Sequence, residues 1–179
     1  MNIVLTGMRG SGKSYYGRNL AKLLGWKYLD TDEMIESEQN STITEIVQKH
    51  GWNHFRNLEN ELCKKIAGID RNGLDEYVIS TGGGLIIDRE NEELLRQNGK
   101  IILLYRDIEK CAELILNGHK KDKRPSLTGR DIQDPNELIK ELEETWNTRE
   151  KRYRQSADLI VDVTEEKDPA EILEMLENI

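Results

Sequence analysis

The chain has 179 residues, enough to bury a proper core within one domain, and no stretch approaches the eighteen apolar residues that a bilayer-spanning helix needs. A formal charge of −8 argues against nucleic acid or an anionic membrane surface as the main partner. Cys63 and Cys111 lie far apart without metal-type spacing and read as two reduced cysteines on amphipathic helices, so a soluble cytoplasmic protein is expected.

In chain order, Ile3-Val4-Leu5 reads as a short buried strand, which leaves no room for a signal peptide ahead of it. Gly7-Met8-Arg9-Gly10-Ser11-Gly12-Lys13-Ser14 follows and fits G-x-x-x-x-G-K-[ST] without mismatch. Tyr16, Leu20, Leu23 and Leu24 then recur at helical spacing, so strand, loop and helix stand in the order that a phosphate loop requires. Glycines let successive backbone N–H groups of Gly10, Ser11 and Gly12 curl around a phosphate, and the helix beginning near Ser14 and Tyr15 adds its partial positive charge. Lys13 supplies a mobile cation for the β- and γ-phosphates, and Ser14 a hydroxyl for Mg²⁺. The loop predicts a nucleoside triphosphate as ligand.

Trp26 to Leu29 reads as a second strand, followed by helical patterns over 31–38, 42–49 and 51–68. Tyr77 to Ser80 is a third strand leading to Gly82-Gly83-Gly84; a helix near 88–98 precedes the strand Ile101 to Tyr105, and another covers 107–117. Residues 118–133 read as irregular. A long helix over 135–154 leads to the strand Leu159 to Val161, and a helix over 169–178 closes the chain. Asp134-Pro135 and Asp168-Pro169, each with Glu two residues on, mark two helix starts. Five strands separated by helices predict an α/β domain over 1–179, its parallel sheet covered on both faces.

Other residues narrow the class. Guanine-reading and γ-phosphate-sensing patterns have near-misses at His119-Lys120-Lys121-Asp122 and Asp70-Arg71-Asn72-Gly73, and neither follows a strand as a GTPase needs. Asp30 and Asp32 stand at the end of the second strand, where alternate residues point the same way. Asp30 then meets the Mg²⁺ shell and Asp32 an acceptor hydroxyl, with Thr31 or Asp32 also capping the next helix. In the helix 135–154, Leu138, Leu142, Trp146 and Tyr153 mark a buried stripe that includes Arg149, while Lys151, Arg152 and Arg154 point toward solvent. Arg56 borders the stripe of Trp52, Phe55, Leu58, Leu62 and Ile66, with Glu59 one turn on. Two inward arginines suit bidentate capture of a carboxylate or phosphate; an internal Arg56–Glu59 ion pair is the alternative. The three glycines suit close backbone approach to a ligand, with a flexible connector as the alternative. Segment 117–130 sets five cations, among them Arg124, against the single acid Asp122, as a hinged lid over phosphates would require.

Taken together, Gly7 to Ser14, Leu29-Asp30-Thr31-Asp32, Phe55-Arg56-x-x-Glu59, Gly82 to Gly84, Arg124-Pro125 and Arg149-x-x-x-Tyr153 with Ala157-Asp158 resemble the shikimate kinase family over nearly the whole chain. The resemblance implies a three-layer P-loop kinase fold with strand order 2-3-1-4-5 and a mobile lid, and transfer of the γ-phosphoryl of ATP to the 3-hydroxyl of shikimate. It implies that Lys13 and Ser14 hold phosphate and Mg²⁺ and that Asp30 reaches Mg²⁺ through water. Asp32 binds the acceptor hydroxyls as candidate base, Arg56 and Arg149 clamp the carboxylate, the glycine triplet lines the same pocket, and Arg124 neutralises the transferring phosphoryl. Pro169 matches a proline that lines one side of the adenine. Asn117 stands where the family usually has an arginine stacked on the other side, and Ser126 where the family has leucine. A monomer that binds ATP and shikimate is the expectation. A kinase for another hydroxy acid such as gluconate, and a catalytically silent nucleotide-binding module, are the alternatives.

Overall fold

The computed structural model describes residues 1–71, 76–117, 125–128 and 133–178, with the backbone alone for 69–71. Its centre is β1 (Asn2–Thr6), buried at every position and paired in parallel with β3 (Tyr77–Ser80) on one side and β4 (Gly99–Tyr105) on the other. β2 (Lys27–Asp30) extends the sheet beyond β3, and β5 (Leu159–Asp162) beyond β4, giving the order β2-β3-β1-β4-β5 with all neighbours parallel. Strands covered on both faces carry unbroken apolar runs instead of alternating polarity, which is why Ile101 to Leu104 are buried throughout.

Alternate residues of each strand feed two cores. Val4, Ile79 and Leu103 face α3 (Ile43–Arg71) and α6 (Pro135–Ser156), where Phe55, Leu62, Leu142 and Tyr153 pack on them. Ile3, Leu5 and Leu104 face α1 (Lys13–Leu24) and α7 (Pro169–Glu177), against Tyr16, Leu20 and Ile172. Leu23, expected on the inward stripe of α1, is exposed instead. α2 (Thr31–Gln39), α4 (Arg89–Arg96) and α5 (Ile108–Asn117) complete the helices described, joined by a short 3-10 turn at Leu85–Ile87 that the sequence does not announce.

The expected break between two helices at 49–51 falls at Gly51, whose φ of 81° bends α3 at a backbone conformation that favours glycine. Both predicted Asp-Pro starts hold: Asp134 accepts from the N–H groups of Asn136 and Glu137, and Asp168 forms a capping box with Glu171. β2 begins one residue later than expected and runs through Asp30. That shift transfers the cap: Asp30, not Thr31 or Asp32, accepts from the N–H groups of Asp32 (3.1 Å) and Glu33 (3.4 Å). Asp32 therefore lies in the first turn of α2, and strand alternation does not relate it to Asp30. No helix among the described residues is long and apolar enough to cross a membrane.

Candidate active site

The loop between β1 and α1 is built from three glycines with positive φ: Gly7 at 142°, Gly10 at 80° and Gly12 at 94°. A side chain at Gly7 would meet the Leu104 carbonyl oxygen at 2.5 Å and one at Gly10 that of Cys111 at 2.5 Å, so α5 and the end of β4 hold the loop's outer side. Gly12 caps α1 without a side-chain acceptor, and no acid occupies the helix's first turn. The buried Ser11 hydroxyl has no hydrogen-bond partner among the described residues, and it stands at a helix start whose partial positive charge suits an incoming anion. Lys13 Nζ donates to the carbonyls of Gly7 (2.9 Å) and Met8 (2.7 Å), held folded over its own loop. Ser14 Oγ donates to Asp30 Oδ2 at 2.9 Å, which sets a hydroxyl and a carboxylate together beside the loop. These two hard oxygen donors suit Mg²⁺. Tyr28 also donates to Asp30 (3.0 Å); burial, then the Asp30 charge, pushes its phenol up to about 12. Tyr15 is exposed, with its ring edge-on to Tyr16.

A second cavity opens at the C-terminal ends of β2 and β3. Asp32, Arg56, the glycine triplet and Arg149 all line it. The geometry separates the three glycines. A Cβ on Gly82 would come within 2.5 Å of Asp32 Oδ1, and one on Gly84 within 2.5 Å of the Arg56 guanidinium. Gly83 instead lends its carbonyl, which accepts from Arg149 Nη1 at 3.1 Å and from the Tyr153 hydroxyl. Gly82 and Gly84 are required for room beside two charged side chains, whereas a Cβ on Gly83 would meet nothing closer than 3.5 Å. The Arg56 guanidinium lies 5.4 Å from the Trp52 ring centroid and is ion-paired with Glu59, so the alternative weighed from sequence is realised. Arg56 nonetheless lines the cavity beside Arg149.

Glu59 is fully buried. Burial is the largest influence on its carboxyl and pushes it up to about 7, against the pull of Arg56, with Asp32 adding to the rise and Arg149 opposing it. Between its ordinary value near 4.5 and about 7 the folded chain therefore holds a proton that the unfolded chain has lost. The resulting contribution to stability is present below about 4.5 and is lost as pH rises through about 7. Denaturation midpoints between pH 5 and 8 are expected to fall more steeply in the parent than in Glu59→Gln; parallel curves would refute the assignment.

Sequence reasoning missed Glu141. It is buried on α6 and accepts from Ser126 Oγ and from the N–H (3.2 Å) and hydroxyl (2.8 Å) of Thr128. These bonds fix Pro125 and Leu127 as part of the cavity wall. Burial opposes charge on Glu141, yet the bonds from Ser126 and Thr128 outweigh it and hold the carboxyl below its usual value. Ser126 thus anchors this segment. Losing charge-assisted bonds worth about 1.5–3 kcal/mol should speed amide exchange at Thr128 by at least tenfold in Glu141→Leu, and unchanged protection would exclude the tether.

Arg152 corrects another expectation. It donates to the Ile87 carbonyl at 3.3 Å and pairs with Glu92 on α4, so it is a bracing residue and not a solvated one. Asn117 is exposed at the end of α5 and Pro169 opens α7; neither lines the cavity. Arg124 and the rest of the expected lid apart from Asn117 and 125–128 lie outside the described residues, as do the near-miss at 119–122 and part of that at 70–73.

A G-x-x-x-x-G-K-S loop on the central strand of a 2-3-1-4-5 parallel sheet, with an acid- and arginine-lined cavity beside it, defines a P-loop protein of the small-molecule kinase class. The family described as shikimate kinase matches residues 9–179. Shikimate kinase 2 of Photorhabdus laumondii is 37% identical over 89% of this chain and 84% of its own length. The shikimate kinase of Caldanaerobacter subterraneus is 40% identical over 92% and 87%. A shikimate kinase from Acinetobacter baumannii, solved in complex with shikimate, superposes with a TM-score of 0.82 at 29% identity, covering 99% of this chain and 93% of that one. The Bacteroides thetaiotaomicron enzyme gives 0.83 at 27% identity over 100% and 99%. The chain belongs to the shikimate kinase family.

Proposed function

We propose that this chain transfers the γ-phosphoryl group of ATP to the 3-hydroxyl of shikimate. The observation that carries the reading is the convergence of Asp32, Arg56, the glycine triplet and Arg149 on one cavity beside the phosphate loop. A gluconate-type acceptor has no need of this combination, and a silent module has no need of the acid. Arg56 and Arg149 bind the acceptor's carboxylate; the Trp52 and Phe55 ring centroids lie 5.4 and 5.6 Å from the Arg56 guanidinium and help to hold it in place. With the carboxylate so held, an acceptor hydroxyl is presented to Asp32. The hydroxyl oxygen bonds to the γ-phosphorus as the bond to the β–γ bridging oxygen breaks, and its proton passes to the Asp32 carboxylate. Lys13 leaves the carbonyls of Gly7 and Met8 for the β- and γ-oxygens, and the loop amides hold the phosphates in line. Ser14 and Asp30 would hold Mg²⁺, which supplies charge neutralisation to the phosphates when bound. Arg124 is assigned the charge that builds on the transferring group, and Asn117 and Pro169 the flanks of the adenine. The chain works as a monomer with its lid over 117–130. An ATP-consumption assay against shikimate, quinate, gluconate and nucleoside monophosphates tests the reading: turnover with shikimate well above the rest is expected, and preference for another acceptor would overturn it.

A further inference from the structure

Arg106 follows β4 directly, and its guanidinium reaches the phosphate loop: Nη2 lies 3.7 Å from the position a Cβ on Gly12 would take. Its Nε is buried and has no hydrogen-bond partner among the described residues. Asp162 at the end of β5 feels the Arg106 charge, but its described hydrogen bond is accepted from the N–H of Thr164 at 2.9 Å. The backbone of Arg106 is held in place, since its carbonyl accepts from Cys111 Sγ at 3.6 Å and the neighbouring Asp107 N–H donates to Thr164 at 3.0 Å. A buried guanidinium donor without an acceptor is costly unless an anion arrives to meet it. Gly12 belongs to the loop whose amides and uncapped helix start are arranged for phosphate.

We propose that Arg106 is a further nucleotide-binding residue, which contacts the phosphate chain of the bound nucleotide from the Gly12 side of the loop, opposite Ser14 and Asp30. The inference rests on the nucleotide-binding reading of the loop. It places a planar, permanently charged fork where the flexible Lys13 does not have to reach, so the phosphates are gripped from two sides. The contact is made in the ground state as well as during transfer, so it tightens nucleotide binding more than it speeds the chemical step.

The test is calorimetric titration of the full chain with Mg²⁺–ADP and Mg²⁺–GDP, comparing the parent with Arg106→Met and Arg106→Lys. Arg106→Met should weaken both diphosphates by about tenfold, the scale of one lost charge-assisted bond, and Arg106→Lys by less. Shikimate affinity and the melting temperature of the ligand-free protein should stay near the parent values. An unchanged ADP affinity overturns the proposal, and so does a loss confined to ADP, which would put the contact on the base. If Arg106→Met fails to fold, Arg106→Lys decides: its ADP affinity must then fall measurably below the parent's. A parent protein that binds neither diphosphate would defeat the nucleotide reading itself, a result separable from any effect of Arg106.

Discussion

An Asp32→Asn enzyme is expected to fold normally and to lose turnover by roughly 10²–10⁴-fold, the range that a positioned general base contributes. Asparagine keeps the shape beside Gly82 but can neither take a proton nor carry charge. The fold should survive because Asp32 is not the cap of α2; that task belongs to Asp30. Asp30→Asn makes the contrast. Asparagine still caps through its one side-chain oxygen, but it then turns an amide N–H₂, a donor, toward Ser14 and Tyr28 where Asp30 presents Oδ2 as acceptor, and it is a poorer ligand for a hard divalent cation. Its deficit should therefore recede as Mg²⁺ is raised, while that of Asp32→Asn should not. Steady-state rates across a Mg²⁺ titration check this, and identical responses from the two variants would remove the division of labour.

What could be read beforehand follows the range of the interactions. The phosphate loop and the two Asp-Pro caps are local: each is complete within about eight residues, and strand, loop and helix leave little else for that pattern to be. Arg149 was legible because a helical stripe carries a charge inward only when something answers it. The cap of α2 was misplaced because it turned on a single residue of strand length. Arg152 was misread because its partners, Ile87 and Glu92, lie on elements 65 and 60 residues away. Glu141 was overlooked for a related reason: an acid beside Leu142 resembles the rim of an apolar stripe until Ser126 and Thr128 are folded onto it. The separate tasks of Gly82, Gly83 and Gly84 were likewise invisible, since each is set by a side chain arriving from another element. Sequence pattern announces which residues are unusual for their position; their partners are found only once the sheet has brought the helices together.

Arg149→Ala is expected to weaken shikimate binding by about 2–5 kcal/mol, the scale for removing one partner of a desolvated charged pair, with ATP affinity near the parent's. It is the cleaner of the two clamp variants. Arg149 donates to the Gly83 carbonyl and is hydrogen-bonded to the Tyr153 side chain, and Tyr153 still satisfies that carbonyl when the arginine is gone. Arg56→Ala should cost a similar amount of binding but also perturb the fold, because Glu59 would be left buried without its cation. A carboxyl stranded in this way responds by holding its proton to higher pH. The stability lost in Arg56→Ala should accordingly be larger at pH 8 than at pH 6, and Arg56→Ala with Glu59→Gln should recover much of it without recovering shikimate affinity. Calorimetry with shikimate and with ATP, alongside denaturation at the two pH values, separates the effects. Undiminished shikimate affinity in both single variants would take the arginine clamp out of the mechanism. Full recovery of affinity in the double variant would mean instead that Arg56 serves Glu59 and not the ligand.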